Sequence, residues 1–286
     1  MLQEALERMQ ERTPEAASKG KGGPHALLLD RPQAGVALLT LSRPESRNSL
    51  TLATIAELHI AFLELAKERS VAAIVLAAAG PVFSAGHDLK ELTAHRADAD
   101  RGIAFFDETM TRCSAMMQAI VACPKPVIAA VQGTATAAGC QLVATCDLAV
   151  AATAAKFATP GVNIGLFCST PLVALSRNVS RKRAMEMLLL GEMISAADAA
   201  DYGLVNRVVP DAAVLPEAIA LAAKIAAKSP LTVATGKATF YAQAEMPLGE
   251  AYRYASRVMV ENMMARDAEE GISAFLEKRK PEWTGR

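Results

Sequence analysis

Four short apolar runs constrain what this chain can fold into: GVALLTLSR at 35–43, AAIVLAAA at 72–79, PVIAAVQ at 126–132 and DLAVAA at 147–152. Each is aliphatic or β-branched and bounded by Gly, Pro or Asp, as strands buried on both faces are. Helical spacing fills the gaps between them. In 51–69, Thr51 takes an N-cap position ahead of Ile55, Leu58, Phe62 and Leu65. Residues 102–122 have the same character. Strands alternating with helices predict a parallel, α/β-type core.

After about residue 212 the strand pattern stops. Segments 212–228, 230–245, 248–265 and 267–278 read as helices, with Pro230 and Pro247 near helix starts, where proline is tolerated. The predicted organisation is a flexible N-terminal extension over 1–26, an α/β core over 27–211 and a helical region over 212–286. In the extension, a short helix carrying Leu2, Leu6 and Met9 leads to a flexible linker from Lys19 to Gly23. Glu4, Glu7, Glu11 and Glu15 argue against a mitochondrial presequence, and no continuous apolar stretch suits a signal peptide.

Composition narrows the partners. Lys+Arg and Asp+Glu both number 30, so the chain lacks the basic excess that nucleic acid as a main partner requires. The best apolar stretch, near 71–80, is too short to span a membrane. Five cysteines, at 113, 123, 140, 146 and 168, show no C-x-x-C spacing. Free, buried thiols in a reducing compartment are the simplest reading, which predicts a cytoplasmic protein. The four histidines form no ligand spacing, so no structural metal is expected.

Several nucleotide and hydrolase signatures are absent: no G-x-G-x-x-G, no G-x-x-x-x-G-K-[ST] and no G-x-S-x-G. Ser84, His87 and Asp88 lie too close in sequence to converge as a hydrolytic triad. Two other segments carry possible chemistry. Gly80–Lys90 (GPVFSAGHDLK) follows a strand and precedes a polar stretch, and its small residues would let backbone N–H groups face a ligand. Gly133–Gln141 (GTATAAGCQ) also follows a strand and opens a small-residue helix with free N–H donors. Two such turns could aim two N–H groups at one carbonyl oxygen, an oxyanion hole. An ordinary strand–helix connection and tight helix–strand packing explain the same residues.

The order of motifs resembles the enoyl-CoA hydratase/isomerase, or crotonase, family over about residues 27–283. The resemblance rests on Arg43-Pro44-Glu45-Ser46-Arg47-Asn48-Ser49-Leu50, Phe83-Ser84-Ala85-Gly86-His87-Asp88-Leu89-Lys90, and the strand Lys125–Gly133. Gly139-Cys140-Gln141-Leu142, Cys146-Asp147-Leu148-Ala149, the stretch Ala199–Val209 and the tail Asp267–Arg279 follow in order. FSAGHDLKEL combined with GLFCSTP further resembles one group within that family. The resemblance implies a core built as a repeated ββα spiral with a C-terminal all-helical oligomerisation region. It implies an acyl-CoA thioester as partner, coenzyme A entering as part of the substrate, no prosthetic group, and a homotrimer or dimer of trimers. The N–H groups of His87 and Ala138 would form the oxyanion hole. Arg47, Ser84 and Ala85 would lie near the pantetheine or phosphates, and Lys278 near the nucleotide.

Two positions depart from the family pattern. Hydratases of this family use two glutamates, and this chain carries Gln141 and Gly161 in their places. An amide is not basic at neutral pH and glycine has no side chain, so efficient hydration is not expected. The loop that follows is also altered, to Phe167-Cys168-Ser169-Thr170-Pro171. His87 reads either as a hydrogen-bonded turn histidine or as a proton-transfer group. Asp88 reads as a helix cap and Asp147 as a strand–turn brace, and Cys168 shows no sign of nucleophilic activation. Three functions follow: an altered thioester enzyme, a non-catalytic acyl-CoA binder, or a hydratase using Glu91 or Glu108.

Overall fold

The computed structural model describes residues 26–286, so the helix and linker expected before residue 25 lie outside the described residues. Ten strands are described: β1 (Leu27–Gln33), β2 (Gly35–Leu41), β3 (Val71–Ala78), β4 (Val82–Ser84), β5 (Val127–Val131), β6 (Thr134–Thr136), β7 (Leu148–Ala152), β8 (Lys156–Ala158), β9 (Ile194–Ser195) and β10 (Arg207–Val209). They form a six-stranded sheet in the order β1-β2-β3-β5-β7-β10 and a four-stranded sheet in the order β4-β6-β8-β9. All neighbours pair parallel except β1 with β2 and β8 with β9.

The four apolar runs read from the sequence are β2, β3, β5 and β7, the centre of the larger sheet. Val127–Val131 is buried throughout, which explains its unbroken apolar sequence. The predicted helices are present at Leu52–Lys67, Ile103–Ala122, Val214–Ala226, Pro230–Ala244, Leu248–Met263 and Arg266–Leu276. The Thr51 side chain caps the first of these by accepting from the Thr54 N–H.

The chain repeats one manoeuvre three times. A strand of the large sheet ends, the chain turns, and a three-residue strand joins the small sheet before a helical segment: β3–β4, β5–β6 and β7–β8. This is the ββα spiral. Its turns are tight. A Cβ on Gly133, between β5 and β6, would lie 2.0 Å from the Pro81 carbonyl oxygen between β3 and β4.

The core does not end at residue 212. Val214, Ala218 and Ala222 of the Val214–Ala226 helix are buried in the same apolar cluster as the large sheet. The next helix, Pro230–Ala244, is fastened by polar groups. Lys237 Nζ reaches Asp147 Oδ2 at 2.7 Å and the Ile120 carbonyl at 2.9 Å, and Tyr241 Oη donates to Asp147 Oδ1 at 2.9 Å. Asp147 Oδ2 also accepts from the Val127 N–H at 2.7 Å, so one carboxylate ties β5, β7 and the tail together. The expected brace at Asp147 is therefore present, and it reaches further than the sequence indicates. At the C-terminus, buried Asp267 accepts from Ser229 Oγ, the Thr284 N–H and hydroxyl, and the Gly285 N–H.

Breaking a buried ion pair on one side strands a desolvated charge, typically at about 3–5 kcal/mol. The Lys237 and Asp147 side chains are only 6% and 15% exposed. Lys237→Met is expected to lower unfolding free energy by roughly that amount. Tyr241→Phe, which removes one bond to a charged group, should cost roughly 1.5–3 kcal/mol. Urea titration measures both, and a Lys237→Met curve matching the parent would refute this account of the tail's attachment.

Candidate active site

Three short neighbouring strands deliver the site. β4, β6 and β8 run side by side and parallel, with Ser84 opposite Ala135 and Thr136 opposite Ala158. Their C-terminal ends therefore lie together. The turn after β4 carries His87, the turn after β6 carries Ala138, and the turn after β8 carries Gly161. Positions far apart in sequence meet because the spiral advances one strand per repeat.

Two glycines bring the first two turns into contact. Gly86, at φ +85°, lies so near the second turn that a Cβ there would stand 2.9 Å from the Thr136 carbonyl oxygen and 3.0 Å from the Ala138 nitrogen. A Cβ on Gly139 would stand 2.3 Å from the Ser84 carbonyl oxygen. Only hydrogen fits at either place. Between them Ala137 adopts φ 49° and ψ −119°, an unusual conformation for a residue with a Cβ, which costs of order 1–3 kcal/mol. Its N–H is held by the Ala158 carbonyl at 3.0 Å.

The turn after β4 is clamped from the other side by Asn48, whose importance the sequence reading missed. Its Nδ2 donates to the Ala79 and Val82 carbonyls at 2.9 and 2.8 Å, and its Oδ1 accepts from the Arg43 N–H at 2.9 Å. Leu50 and His87 form an isolated parallel bridge that uses the Gly86 carbonyl and the Asp88 N–H. That pattern leaves out the His87 N–H. Ala138 is the first residue of the Ala138–Thr145 helix, where the N–H has no intrahelical acceptor. Among the described residues neither N–H donates a hydrogen bond, and the Gly86 contact brings their turns together.

The other expected site residues divide. Ser84 is wholly buried, and its hydroxyl donates to the Asn48 carbonyl at 2.8 Å and accepts from the Gly86 N–H at 3.3 Å. It shapes the turn. Ala85 is half-buried, its N–H bonded to the Arg47 carbonyl and its own carbonyl to the Thr136 hydroxyl. Arg47 and Lys278 are exposed, both with positive φ. Asp88 caps the Leu89–Ala94 helix through the N–H groups of Lys90 and Glu91 and accepts from Ser49. Burial pushes its carboxyl up, but those hydrogen bonds outweigh it and hold the group below its ordinary range.

His87 departs from the expected hydrogen-bonded turn histidine. Its Nε2 is buried without a partner among the described residues, and burial lowers the imidazole to about 4. Gln141 lies one helical turn beyond Ala138, 5% exposed, and its Oε1 is likewise buried and unpartnered.

Gly161 is more than a missing carboxylate. A Cβ there would lie 2.7 Å from the Leu166 carbonyl oxygen and 3.0 Å from Cys168 Sγ. The altered loop fills the direction a side chain would take, and the Leu166 N–H bonds the Gly161 carbonyl at 2.9 Å. Cys168 is buried and its thiol is pushed up by desolvation, which suits packing and not nucleophilic attack. Neither substitute carboxylate is free. Glu91 accepts from the Leu52 N–H at 2.9 Å, and Glu108 pairs with Arg112 at 2.7 Å.

Known proteins share this sequence pattern and fold. The profile of the enoyl-CoA hydratase/isomerase family matches residues 31–286. The human protein named enoyl-CoA hydratase domain-containing protein 3, mitochondrial, is 50% identical over 250 residues, 87% of this chain and 81% of that protein. Its crystal structure superimposes with a TM-score of 0.86 at 49% identity, covering 91% of this chain and 100% of the other. An enoyl-CoA hydratase structure from Mycobacterium smegmatis matches at 54% identity and a TM-score of 0.86, covering 91% and 99%. The cytoplasmic expectation is overturned by these relatives: the rat, human and mouse proteins are all named mitochondrial. Free thiols did not discriminate, because they report a reducing compartment and not which one.

Two outcomes follow. Gly161→Ala should destabilise the fold by roughly 1–3 kcal/mol, the usual cost of overpacking, and a thermal melt unchanged from the parent would show that the 166–168 loop yields freely. The His87 imidazole protonates near 4 when folded and near 6.5 when unfolded, so the unfolded state binds more protons between those values. Stability present above pH 6.5 is then lost as pH falls towards 4, by up to ~3 kcal/mol. In urea unfolding at pH 7 and pH 4.5, His87→Phe should lose less stability than the parent, and equal losses would contradict the burial of a neutral imidazole.

Proposed function

The chain belongs to the enoyl-CoA hydratase/isomerase family, grouping with the enoyl-CoA hydratase domain-containing protein 3 sequences, and on that premise we propose that it binds acyl-CoA thioesters and stabilises the thioester enolate at the His87 and Ala138 N–H groups. The observation that carries the reading is that the turns bearing these two N–H groups touch at Gly86 and that neither N–H has an acceptor among the described residues. A thioester carbonyl oxygen seated between them gains negative charge as Cα gives its proton to a base, a role proposed for the lone pair of the neutral His87 imidazole or for a group of the substrate itself. Preorganised donors stabilise that charge without reorganisation, and one donor is commonly worth roughly 10²–10³-fold in rate.

Hydration asks for more. A group must activate water and another must protonate Cα. Each such group contributes roughly 10²–10⁴-fold, and Gln141 and Gly161 supply neither. Glu91 and Glu108 are engaged elsewhere. The reading is therefore an enzyme of thioester enolates in which hydration of 2-enoyl-CoA is slower than in the two-glutamate hydratases by several orders of magnitude. Arg47 and Lys278, both exposed cations, are proposed to meet the phosphates and nucleotide of coenzyme A. The tail helices expose Leu248, Met264, Phe275 and Leu276. That apolar surface supports assembly as a homotrimer or a dimer of trimers.

A non-catalytic acyl-CoA binder would use the same donors, and turnover separates the two. The first test compares butyryl-CoA with its thioether analogue, which lacks the carbonyl oxygen. Two hydrogen bonds at about 1 kcal/mol each predict roughly 10–100-fold weaker binding of the thioether. Equal affinities would remove the oxyanion assignment. Exchange of the butyryl-CoA α-hydrogen for deuterium from heavy water, read by mass spectrometry, then reports enolate formation, and its absence would favour the binder.

A further inference from the structure

The direction of the His87 N–H is set by a bond that its own peptide unit makes on the other side. A trans peptide unit is planar, so its N–H and C=O point opposite ways. The unit joining Gly86 to His87 carries the Gly86 carbonyl and the His87 N–H. That carbonyl accepts from the Leu50 N–H at 2.8 Å. The His87 N–H therefore points away from Leu50, and it keeps that aim only while Leu50 keeps its place. The Asp88 N–H donates to the Leu50 carbonyl at 3.2 Å, which ties the next peptide unit as well. There is little slack on the far side, where a Cβ on Gly86 would stand 2.9 Å from the Thr136 carbonyl oxygen.

Leu50 lies between two side-chain ties to the segment that follows His87. On one side the Ser49 hydroxyl donates to Asp88 Oδ2 at 2.7 Å. On the other the Leu52 N–H donates to Glu91 Oε2 at 2.9 Å, across 39 residues of sequence. Leu52 is the first residue of the Leu52–Lys67 helix, so its N–H has no acceptor within that helix. The Thr51 cap serves the Thr54 N–H instead. Asp88 is divided between Ser49 and the N–H groups of Lys90 and Glu91 that it caps. Glu91 reaches across to the other helix. Residues 49–52 and 86–91 thus close a ring of hydrogen bonds, and a shift at Leu52 passes through Leu50 to the Gly86–His87 peptide.

Resting on the oxyanion reading above, we propose that Glu91 is a positioning residue for the His87 N–H: by holding the Leu52 N–H it keeps Leu50, and through Leu50 the Gly86–His87 peptide, aimed at the thioester oxygen. Preorganised donors act through geometry, so a donor that drifts loses its value even though it is still present. Glu91 acts through an acceptor oxygen at a set reach. Its charge is incidental, and it touches no substrate atom.

The test separates reach from charge. Glu91→Gln keeps an acceptor oxygen at the same reach without the charge. Glu91→Asp keeps the charge one methylene short, and Glu91→Ala removes both. Isothermal titration of the full chain gives the ratio of affinities for butyryl-CoA and its thioether analogue. The two ligands share the coenzyme A part, so damage elsewhere in the binding site cancels from the ratio. The parental ratio is expected at roughly 10–100. Glu91→Gln should stay within about twofold of it, whereas Glu91→Asp and Glu91→Ala should lower it roughly fivefold, the worth of one hydrogen bond. Isotope-edited infrared spectra of the bound, labelled carbonyl should show its stretch lowered in the parent and in Glu91→Gln, and returned part of the way to the free value in Glu91→Asp. A merely structural role would weaken both ligands together and leave the stretch unmoved, which overturns the proposal. Glu91→Asp matching the parent where Glu91→Gln does not would assign the effect to charge and overturn it too. If Glu91→Ala fails to fold, the Asp and Gln variants still decide. A parental ratio near one defeats the oxyanion reading itself, whereas a parental ratio of the expected size that no Glu91 substitution alters defeats this inference alone.

Discussion

The parallel pairing of three three-residue strands, β4, β6 and β8, is the constraint on which the site depends. Each strand is too short to persist alone. Each is held because the preceding turn folds it back from a long, buried strand of the larger sheet. The large sheet supplies the apolar stabilisation, and the small one converts it into position. Its consequence is a set of turns so close that Gly86, Gly133 and Gly139 tolerate no side chain, and that Ala137 is held in a costly conformation. Strain of this kind persists only where the surroundings over-determine it. Here the Ala158 carbonyl, the Asn48 clamp and the Leu50–His87 bridge do so.

Loss of the two carboxylates has changed the electrostatics of the site as well as its catalytic groups. Glutamates there would put negative charge beside the carbonyl and a source of protons beside the acyl chain. Gln141 and Gly161 remove both. The loop from Leu166 to Cys168 closes over Gly161, so the change is a repacked wall. Of the polar side chains on these turns, His87 and Gln141 are neutral at pH 7, and the Asp88 carboxylate is engaged in capping its own helix.

The tail is joined to the core in two ways: the Val214–Ala226 helix by apolar burial, and the Pro230–Ala244 helix by the Lys237–Asp147 pair. Asp147 gathers a lysine, a tyrosine and a backbone N–H from three elements, and Asp267 gathers four donors at the C-terminus. Asp267 is buried and Asp147 largely so, and both are multiply bonded, the condition under which a desolvated charge is tolerated. These two anchors fix the register of helices whose own sequences are amphipathic but not specific. Nothing local in the sequence marks Lys237, because its partner lies 90 residues away.

The sequence by itself determined the central strands, the long helices, the N-cap at Thr51, the cap at Asp88 and the absence of both glutamates. Each of these is local: a run of apolar residues, a helical period or the identity of a side chain. It also determined the family, because the order of several short motifs is itself sequence information. VFS, TAT and KFA, the three strands of the small sheet, carry no periodicity in three residues and stayed invisible. Only the tertiary structure decided that their ends converge, that His87 Nε2 has no partner among the described residues, that Ser84 turns inward and that the wall beside Gly161 is filled. Those facts are distances between residues tens of positions apart. They are set by how sheets pair and turns pack, which no local pattern of residues encodes.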